Sequence, residues 1–484
     1  MKKKVLWGSI VGICLVLCGL MWYIFAKYSL HDIKDAVYAL SHKGEGELYA
    51  DFGNRIGEIK ALNGINNGPK SGYDNGGSTD EWELDATQLY QEMGIPIVRT
   101  HDSEYPYGQG QFVDIHCIFP DLTKNAEDES AYNFTYTDKY IEAIIDSGAE
   151  VFFRLGESID HSGNNLYINP PTDYEKWAQI CEHIILHYNE GWAEGFEYDI
   201  KYWEIWNEPD NPQNWTGTKE EYFELYKQTA IYLKDKFPDI YIGGYAAASC
   251  SSEIISEFLQ YIKEGEKAPL DFFSWHTYTS NPWIFWENAK EVRELLNQNG
   301  YENTKSILDE WNYLETWEDL DGAMEVIQSA KGAAFMASSM IIMQYSSIDA
   351  SLYYDGQFIN GWCGLYDSET ETLPGYNVFC FFDQMYQQGY QVQMNDYVSE
   401  GLDGIYALAA TGENSDSFLI ANYNGESLEK PVEVRLRFEG DREQASVTRI
   451  NQEHPEGITT NYQWFLNRAI LNIEPGEVIF IELK

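Results

Sequence analysis

Eight short apolar runs recur between residues 61 and 355, each closed by polar or aromatic residues and separated from the next by a helical pattern. They are Ala61–Asn66, Ile95–Asp102, Val151–Glu157, Tyr202–Glu208, Tyr241–Tyr245, Phe272–Tyr278, Ser306–Asn312 and Ala350–Asp355. Helical periodicity fills the gaps at Asp85–Met93, Thr137–Ser147, Tyr174–Tyr188, Lys219–Lys236, Ser252–Lys263, Trp286–Asn297 and Ala323–Tyr345. Short strands alternating with helices argue for a parallel sheet, because a parallel pair needs a long crossover. Eight such units argue for a closed (β/α)₈ barrel. After about residue 388 the helical patterns stop. Gly404–Leu408, Ser417–Asn422, Val432–Leu436 and Glu477–Glu482 read as strands punctuated by Gly, Asn, Asp and Pro, which predicts a small antiparallel β-sandwich. Its expected role is support of the barrel in preference to ligand binding.

The fold class expected is therefore α/β: a (β/α)₈ TIM barrel over 56–388 with a C-terminal antiparallel β-sandwich over 389–484. Residues 31–55 read as a stalk, with Glu47–Phe52 as a candidate first sandwich strand. Residues 1–30 read as a membrane anchor or signal segment. Met1 is followed by three lysines, and Val5–Ala26 is 22 residues without a charge. As a helix at ~1.5 Å per residue this segment spans about 33 Å, enough for a hydrocarbon core of about 30 Å. Trp22 and Tyr23 sit near its outer end, where aromatic rings favour the interface, and the lysines should stay inside. A single-pass cell-membrane protein with its catalytic domain outside is expected. A cleaved signal, giving a secreted protein, is the rival, but the apolar stretch is long and no clean A-x-A site follows it.

Charge narrows the partners. The 484 residues hold 32 Lys+Arg and 78 Asp+Glu, a net charge of −46. No basic footprint for nucleic acid is expected from such a balance. With 44% hydrophobic and 15% aromatic residues the chain has ample material for a core. The seven cysteines show no C-x-x-C spacing, so neither a disulfide scaffold nor a Cys/His metal cluster is expected. His183 and His187 have i,i+4 spacing without a metalloprotease Glu. The glycines at Asn75-Gly76-Gly77 and at Gly108 and Gly110 match neither a phosphate cradle nor a dinucleotide fingerprint. No cofactor or metal is expected, and the oligomeric state stays open.

In a barrel enzyme the catalytic groups come from the C-terminal ends of the strands. Those ends present Asn66, His101-Asp102, Glu157, Asn207-Glu208, His276 with Tyr278, Glu310 and Asp355, flanked by Trp206, Trp215, Trp275, Trp283, Trp286, Trp311 and Trp362. Carboxylates and amides that hold hydroxyls, beside flat rings that pack on C–H faces, suit a sugar. Two carboxylates on different strands are what glycoside hydrolysis needs.

The run Trp203-Glu204-Ile205-Trp206-Asn207-Glu208-Pro209 resembles the acid/base motif of clan A glycoside hydrolases, most closely family 39, which includes β-xylosidases and α-L-iduronidases. Ile307–Asn312 resembles that family's nucleophile strand. Ala61–Pro69 resembles its first strand, Val98–Asp102 its second and Asp271–Tyr278 its sixth. The resemblance implies Glu208 as general acid/base, Glu310 as nucleophile, Asn207 on the sugar 2-hydroxyl, and Tyr278 or His276 orienting the nucleophile. It implies a retaining double displacement on an oligosaccharide or glycoside, most like a β-xylosidase. Asp309 departs from the family pattern, where a smaller or neutral residue is expected. A non-catalytic surface carbohydrate-binding protein and an endo-acting polysaccharide hydrolase are the alternatives.

Local pattern adds further expectations. Glu204 lies about 13 Å below Glu208 at ~3.3 Å per residue and reads as a buried partner for an Arg. Asp309 and Glu310 should point to opposite sides of their strand, so that only one faces the site. His101, Asp102 and Glu157 are candidate sugar contacts or rim residues. Trp283 and Trp311 are candidate ring contacts, with Trp283 and Trp286 placed on the loop after the sixth strand.

Overall fold

The computed structural model describes residues 16–41, 46–71, 84–101, 113–160, 163–358, 363–367, 371–395, 404–423, 430–442, 444–464 and 466–484. The chain forms two compact units, Lys60–Tyr386 and the remainder. Lys60–Tyr386 holds a closed barrel of eight parallel strands. They are β1 Ala61–Asn66, β2 Ile97–Arg99, β3 Glu150–Leu155, β4 Tyr202–Ile205, β5 Tyr241–Ala247, β6 Phe272–Tyr278, β7 Lys305–Asn312 and β8 Ala350–Tyr353. Each matches one of the eight apolar runs.

Side-chain alternation stacks the barrel interior in layers. Ile97, Phe152, Phe272, Ile307 and Leu352 form one apolar layer. A Cβ on Gly64 would meet Ile97 at 2.7 Å and Leu352 at 3.1 Å, so only glycine fits that level on β1. Two residues further along, the same inward positions carry Arg99 above Ile97, Glu204 above Tyr202 and Asp309 above Ile307. The apolar layer thus floors a layer of buried charge.

Around the barrel run helices that include Tyr174–Glu190, Lys219–Lys236, Ser252–Lys263 and Trp283–Gln298. Lys219–Lys236 begins with a capping box, in which Thr218 and Glu221 satisfy each other's backbone N–H groups. The expected single helix Ala323–Tyr345 is instead two, Leu320–Ile327 and Ala330–Tyr345, bent by 83°. At this corner a Cβ on residue 332 would lie 2.4 Å from the Val326 carbonyl oxygen, so Gly332 permits the turn. Ala330–Tyr345 is apolar around its circumference because nearly every residue in it is buried.

The other unit is a curled nine-stranded sheet. It includes Gly46–Glu58, which pairs antiparallel with Tyr390–Met394 and parallel with Val432–Glu439. The Glu47–Phe52 segment lies in this strand. Val432–Glu439 alternates buried and half-buried residues, as expected of a strand with one face on a core. That core gathers Phe52, Phe418, Phe438 and Trp464.

Among the described residues no single helix is long and apolar enough to cross a membrane. Val16–Lys27 is a short apolar helix. Residues 5–15, half of the segment expected to span, lie outside the described residues.

Candidate active site

The motif after β4 is shaped by two residues in the left-handed region, Trp206 (φ 74°) and Glu208 (φ 44°). Such values are uncommon for residues with a Cβ and cluster at functional sites. Backbone hydrogen bonds hold them: Trp206 N–H donates to Leu155 O at 2.6 Å and Glu208 N–H to Ala246 O at 2.9 Å. Gly156 makes room, because a Cβ there would lie 3.0 Å from Trp206 Cα. The result breaks strand alternation, and Asn207 and Glu208 both turn toward the barrel. Asn207 Oδ1 accepts from Arg99 Nη2 at 2.7 Å, and Glu208 Oε1 lies 2.8 Å from His276 Nδ1. Asn211 and Asn214 donate to the other oxygen of Glu208, at 2.9 and 2.8 Å.

β7 breaks alternation differently. Its pairing with β6 shifts between Leu308 and Glu310, and that with β8 between Leu308 and Trp311. The irregularity makes Asp309 an extra residue, as in a β-bulge. Asp309 and Glu310 therefore both face inward, contrary to the expectation from parity. Arg99 lies 3.2 Å from Asp309 by Nε and 2.9 Å from Glu310 by Nη1. Trp311 is carried the other way. It is fully buried, with its ring against Phe285 and Tyr353, so it is a packing residue and not a ring contact for substrate.

Glu310 is held from four sides. Tyr278 donates to its Oε2 at 2.7 Å, Arg99 donates to Oε1 at 2.9 Å, His101 Nε2 lies 2.8 Å from Oε1, and His276 Nδ1 lies 3.4 Å from Oε2. Burial alone would raise this carboxyl, but His276 and His101, with Arg99, hold it well below the ordinary value. Burial opposes a charge on His276, yet Glu310 and Asp309 raise it well above the ordinary imidazole value. One oxygen of Glu208, one of Glu310 and a His276 nitrogen all lie within 4.8 Å of one another.

Below them, Arg99 Nε donates to Glu204 at 2.7 Å, and Ser274 donates to the other Glu204 oxygen at 2.6 Å. Glu204 is thus the buried partner of an arginine. Burial pushes its carboxyl up to about 8, against the pull of Arg99. The native state keeps a proton on Glu204 that the unfolded chain releases above about 4.5, so this site's contribution to stability falls as pH rises from there to about 8. Glu204→Gln is expected to remove that part of the slope, which urea unfolding midpoints at pH 5, 7 and 9 will check. Arg99→Leu leaves three buried carboxyls without their cation. It is expected to cost about 3–5 kcal/mol in urea unfolding at pH 7.

Among the described residues, Glu157 and Trp283 have other neighbours. Glu157 is buried and turned to His116, whose Nδ1 lies 2.5 Å from it and whose ring stacks on Tyr167 at 3.7 Å. Asp114, which faces Arg154 and Ser158, has a carboxylate oxygen within 4.8 Å of a His116 nitrogen and a Glu157 oxygen. Trp283 opens the helix after β6, where a loop was expected, and meets Trp286 edge-on at 6.3 Å. Asp102 and Trp362 lie outside the described residues. Asn211 and Asn214 are absent from the sequence-based candidates, although two amides within six residues of Glu208 are a visible signal.

Two carboxylates converging at the strand ends of a closed barrel are what a glycoside hydrolase site requires, and comparison with known proteins places the chain in that class. The family model described as "Glycosyl hydrolases family 39" matches residues 71–343, and the chain belongs to this family. A β-xylosidase of Geobacillus stearothermophilus is 25% identical over 342 residues, which are 62% of this chain and 64% of that enzyme, just under two thirds of its length. Among solved structures, a glucosidase from Croceicoccus marinus superposes with a TM-score of 0.72 at 21% identity, covering 90% of this chain and 98% of the other. A monomeric β-xylosidase from Caulobacter crescentus CB15 does so with 0.67 at 16% identity, covering 90% and 99%. These two likenesses are of fold.

Proposed function

We propose that this chain is a retaining glycoside hydrolase of β-xylosidase type. Glu208 gives a proton to the glycosidic oxygen as Glu310 attacks the anomeric carbon and the bond to the leaving sugar breaks. Glu208 then takes a proton from water, which attacks the same carbon and frees Glu310. The observation that carries this reading is the approach of the two carboxyls, within 4.8 Å. Retaining enzymes keep their pair about 5–5.5 Å apart, whereas inverting ones leave about 6.5–9.5 Å for a water. The contacts on Glu310 favour an ionised carboxylate fixed in one orientation, which a nucleophile requires.

Charge supports a neutral sugar over a uronide. In the segments that join each barrel strand to the helix behind it, the only Lys or Arg residues are Lys70 and Lys124. Lys70 lies 3.8 Å from Asp85. Arg99 is fully committed to carboxyls and Asn207. A uronate would meet carboxylates there, and the nearby cations, Arg99 and His276, are already engaged by Glu310 and Glu208. The test is a screen on aryl β-xyloside, β-glucoside, β-galactoside, α-arabinoside and uronide substrates, with the first-formed product anomer read by NMR. Turnover of a neutral glycoside with retention is expected. Inversion, or a preference for the uronide, overturns the reading.

The N-terminal segment is proposed as a membrane anchor that holds the catalytic unit outside the cell. The uncharged stretch Val5–Ala26 behind three lysines supports this. So does the exposure of Val16, Leu17, Leu20, Met21, Trp22 and Phe25. Recovery of the full chain from the membrane fraction by detergent but not by high salt is expected; recovery by salt alone overturns the anchor.

A further inference from the structure

Four aromatic rings run edge to face beside Glu310. His101 meets Tyr354 with centroids 5.3 Å apart, Tyr354 meets Tyr278 at 6.4 Å, and Tyr278 meets Trp317 at 5.2 Å. The interplanar angles are 80°, 79° and 67°. His101 and Tyr278 reach Glu310 directly, so the first three rings wall the site already described. Trp317 is the fourth ring. It sits in the short segment 313–319 between β7 and the helix Leu320–Ile327, with its ring against that of Tyr278, which donates to Glu310. It is 61% exposed, more than any other large hydrophobic residue of the barrel unit among the described residues.

An indole left open at that place is informative. Packing alone would bury it, since a ring of this size carries much apolar area. Its neighbours Glu315, Glu318 and Asp319 are acidic, and no Lys or Arg lies in the segment. An anionic ligand is therefore disfavoured. The negative face of an indole attracts polarised C–H groups, and the flat C–H face of a neutral pyranose supplies them.

We infer that Trp317 is the stacking platform of a second sugar position, adjoining the one at Glu310, which receives a neutral sugar unit of an oligosaccharide. The inference rests on the glycosidase reading above and deepens it: the enzyme selects oligosaccharides over simple glycosides.

The test compares the wild-type chain with Trp317→Ala and Trp317→Phe on two substrates of the sugar that the screen selects, xylose in the first instance. One is the methyl β-glycoside, which fills a single sugar position; the other is the β-1,4-linked trisaccharide. The readout is the ratio of kcat/KM for trisaccharide to that for methyl glycoside. Trp317→Ala is expected to lower this ratio about tenfold, chiefly through KM for the trisaccharide, and Trp317→Phe to restore most of it. A ratio unchanged from wild type overturns the inference, even if both rates fall, because a ring that only props Tyr278 would affect both substrates alike. In a Glu310→Gln background, intrinsic fluorescence titrated with the trisaccharide should respond, and the response should be lost on adding Trp317→Phe. A wild-type chain that turns over no glycoside overturns the underlying reading, whereas wild-type turnover with an unchanged ratio in the variant overturns the second position alone.

Discussion

Glu310→Gln is expected to reduce turnover on the order of 10⁴-fold or more while leaving a folded protein. The amide matches the carboxylate in shape, and the surrounding donors can accept the exchange. The introduced amide would turn its oxygen to Arg99 and its NH₂ to Tyr278, whose hydroxyl can rotate to receive a hydrogen bond. Loss of one buried negative charge weakens the hold on the His276 proton, so the imidazole can neutralise and limit the cost. What cannot be replaced is the attack on the anomeric carbon, since an amide oxygen is a far weaker nucleophile than a carboxylate. Initial rates on an activated aryl glycoside, with a urea unfolding curve on the same preparation, check both halves. Activity within tenfold of wild type from a folded variant would remove Glu310 from its assigned role.

The barrel was legible because each strand of a parallel sheet is buried on both faces and so stands out as a short apolar run between helices. Glu204 was legible for the same reason, since a carboxylate in such a run needs an arginine. Where expectation and structure part, local backbone geometry overrides a simple period. Alternation assigns Asp309 and Glu310 to opposite sides, but an irregular residue in β7 brings both to Arg99 and sends Trp311 into the helix layer. Two positive φ values likewise let Asn207 and Glu208 share one side. The helical pattern 323–345 is continuous in sequence, and only the close approach at Gly332 marks its corner. Four strands of the sheet unit, Tyr390–Met394, Gln444–Ile450, Ile458–Gln463 and Arg468–Ile473, are not evident from the sequence pattern. Ile458–Gln463 lies at the sheet edge with mostly exposed residues, so it carries no buried face to impose a pattern. Trp317 is hidden in an acidic turn, although a large aromatic residue among Glu315, Glu318 and Asp319 is visible there.

Glu208→Ala should separate the two chemical steps. Hydrolysis of a methyl glycoside, whose leaving oxygen needs a proton, is expected to fall about 10³-fold or more. A dinitrophenyl glycoside departs without that proton, so its first step should persist and the glycosyl ester on Glu310 should accumulate, because nothing activates water. The truncation also leaves a place shaped for a small anion. Asn211 and Asn214 Nδ2 and His276 Nδ1, which approach the Glu208 carboxylate at 2.9, 2.8 and 2.8 Å, would converge on a space the size of the missing group. Azide suits that space and needs no general base. It is expected to restore turnover of the activated substrate at least tenfold and to yield the β-glycosyl azide, the configuration that attack on a Glu310 ester produces. An α-configured azide would mean direct displacement without the ester, and a folded variant indifferent to azide would deny Glu208 the role of acid and base. Chemical rescue tests the site more strictly than loss of activity does, since it requires both carboxyls to stand on the same anomeric carbon.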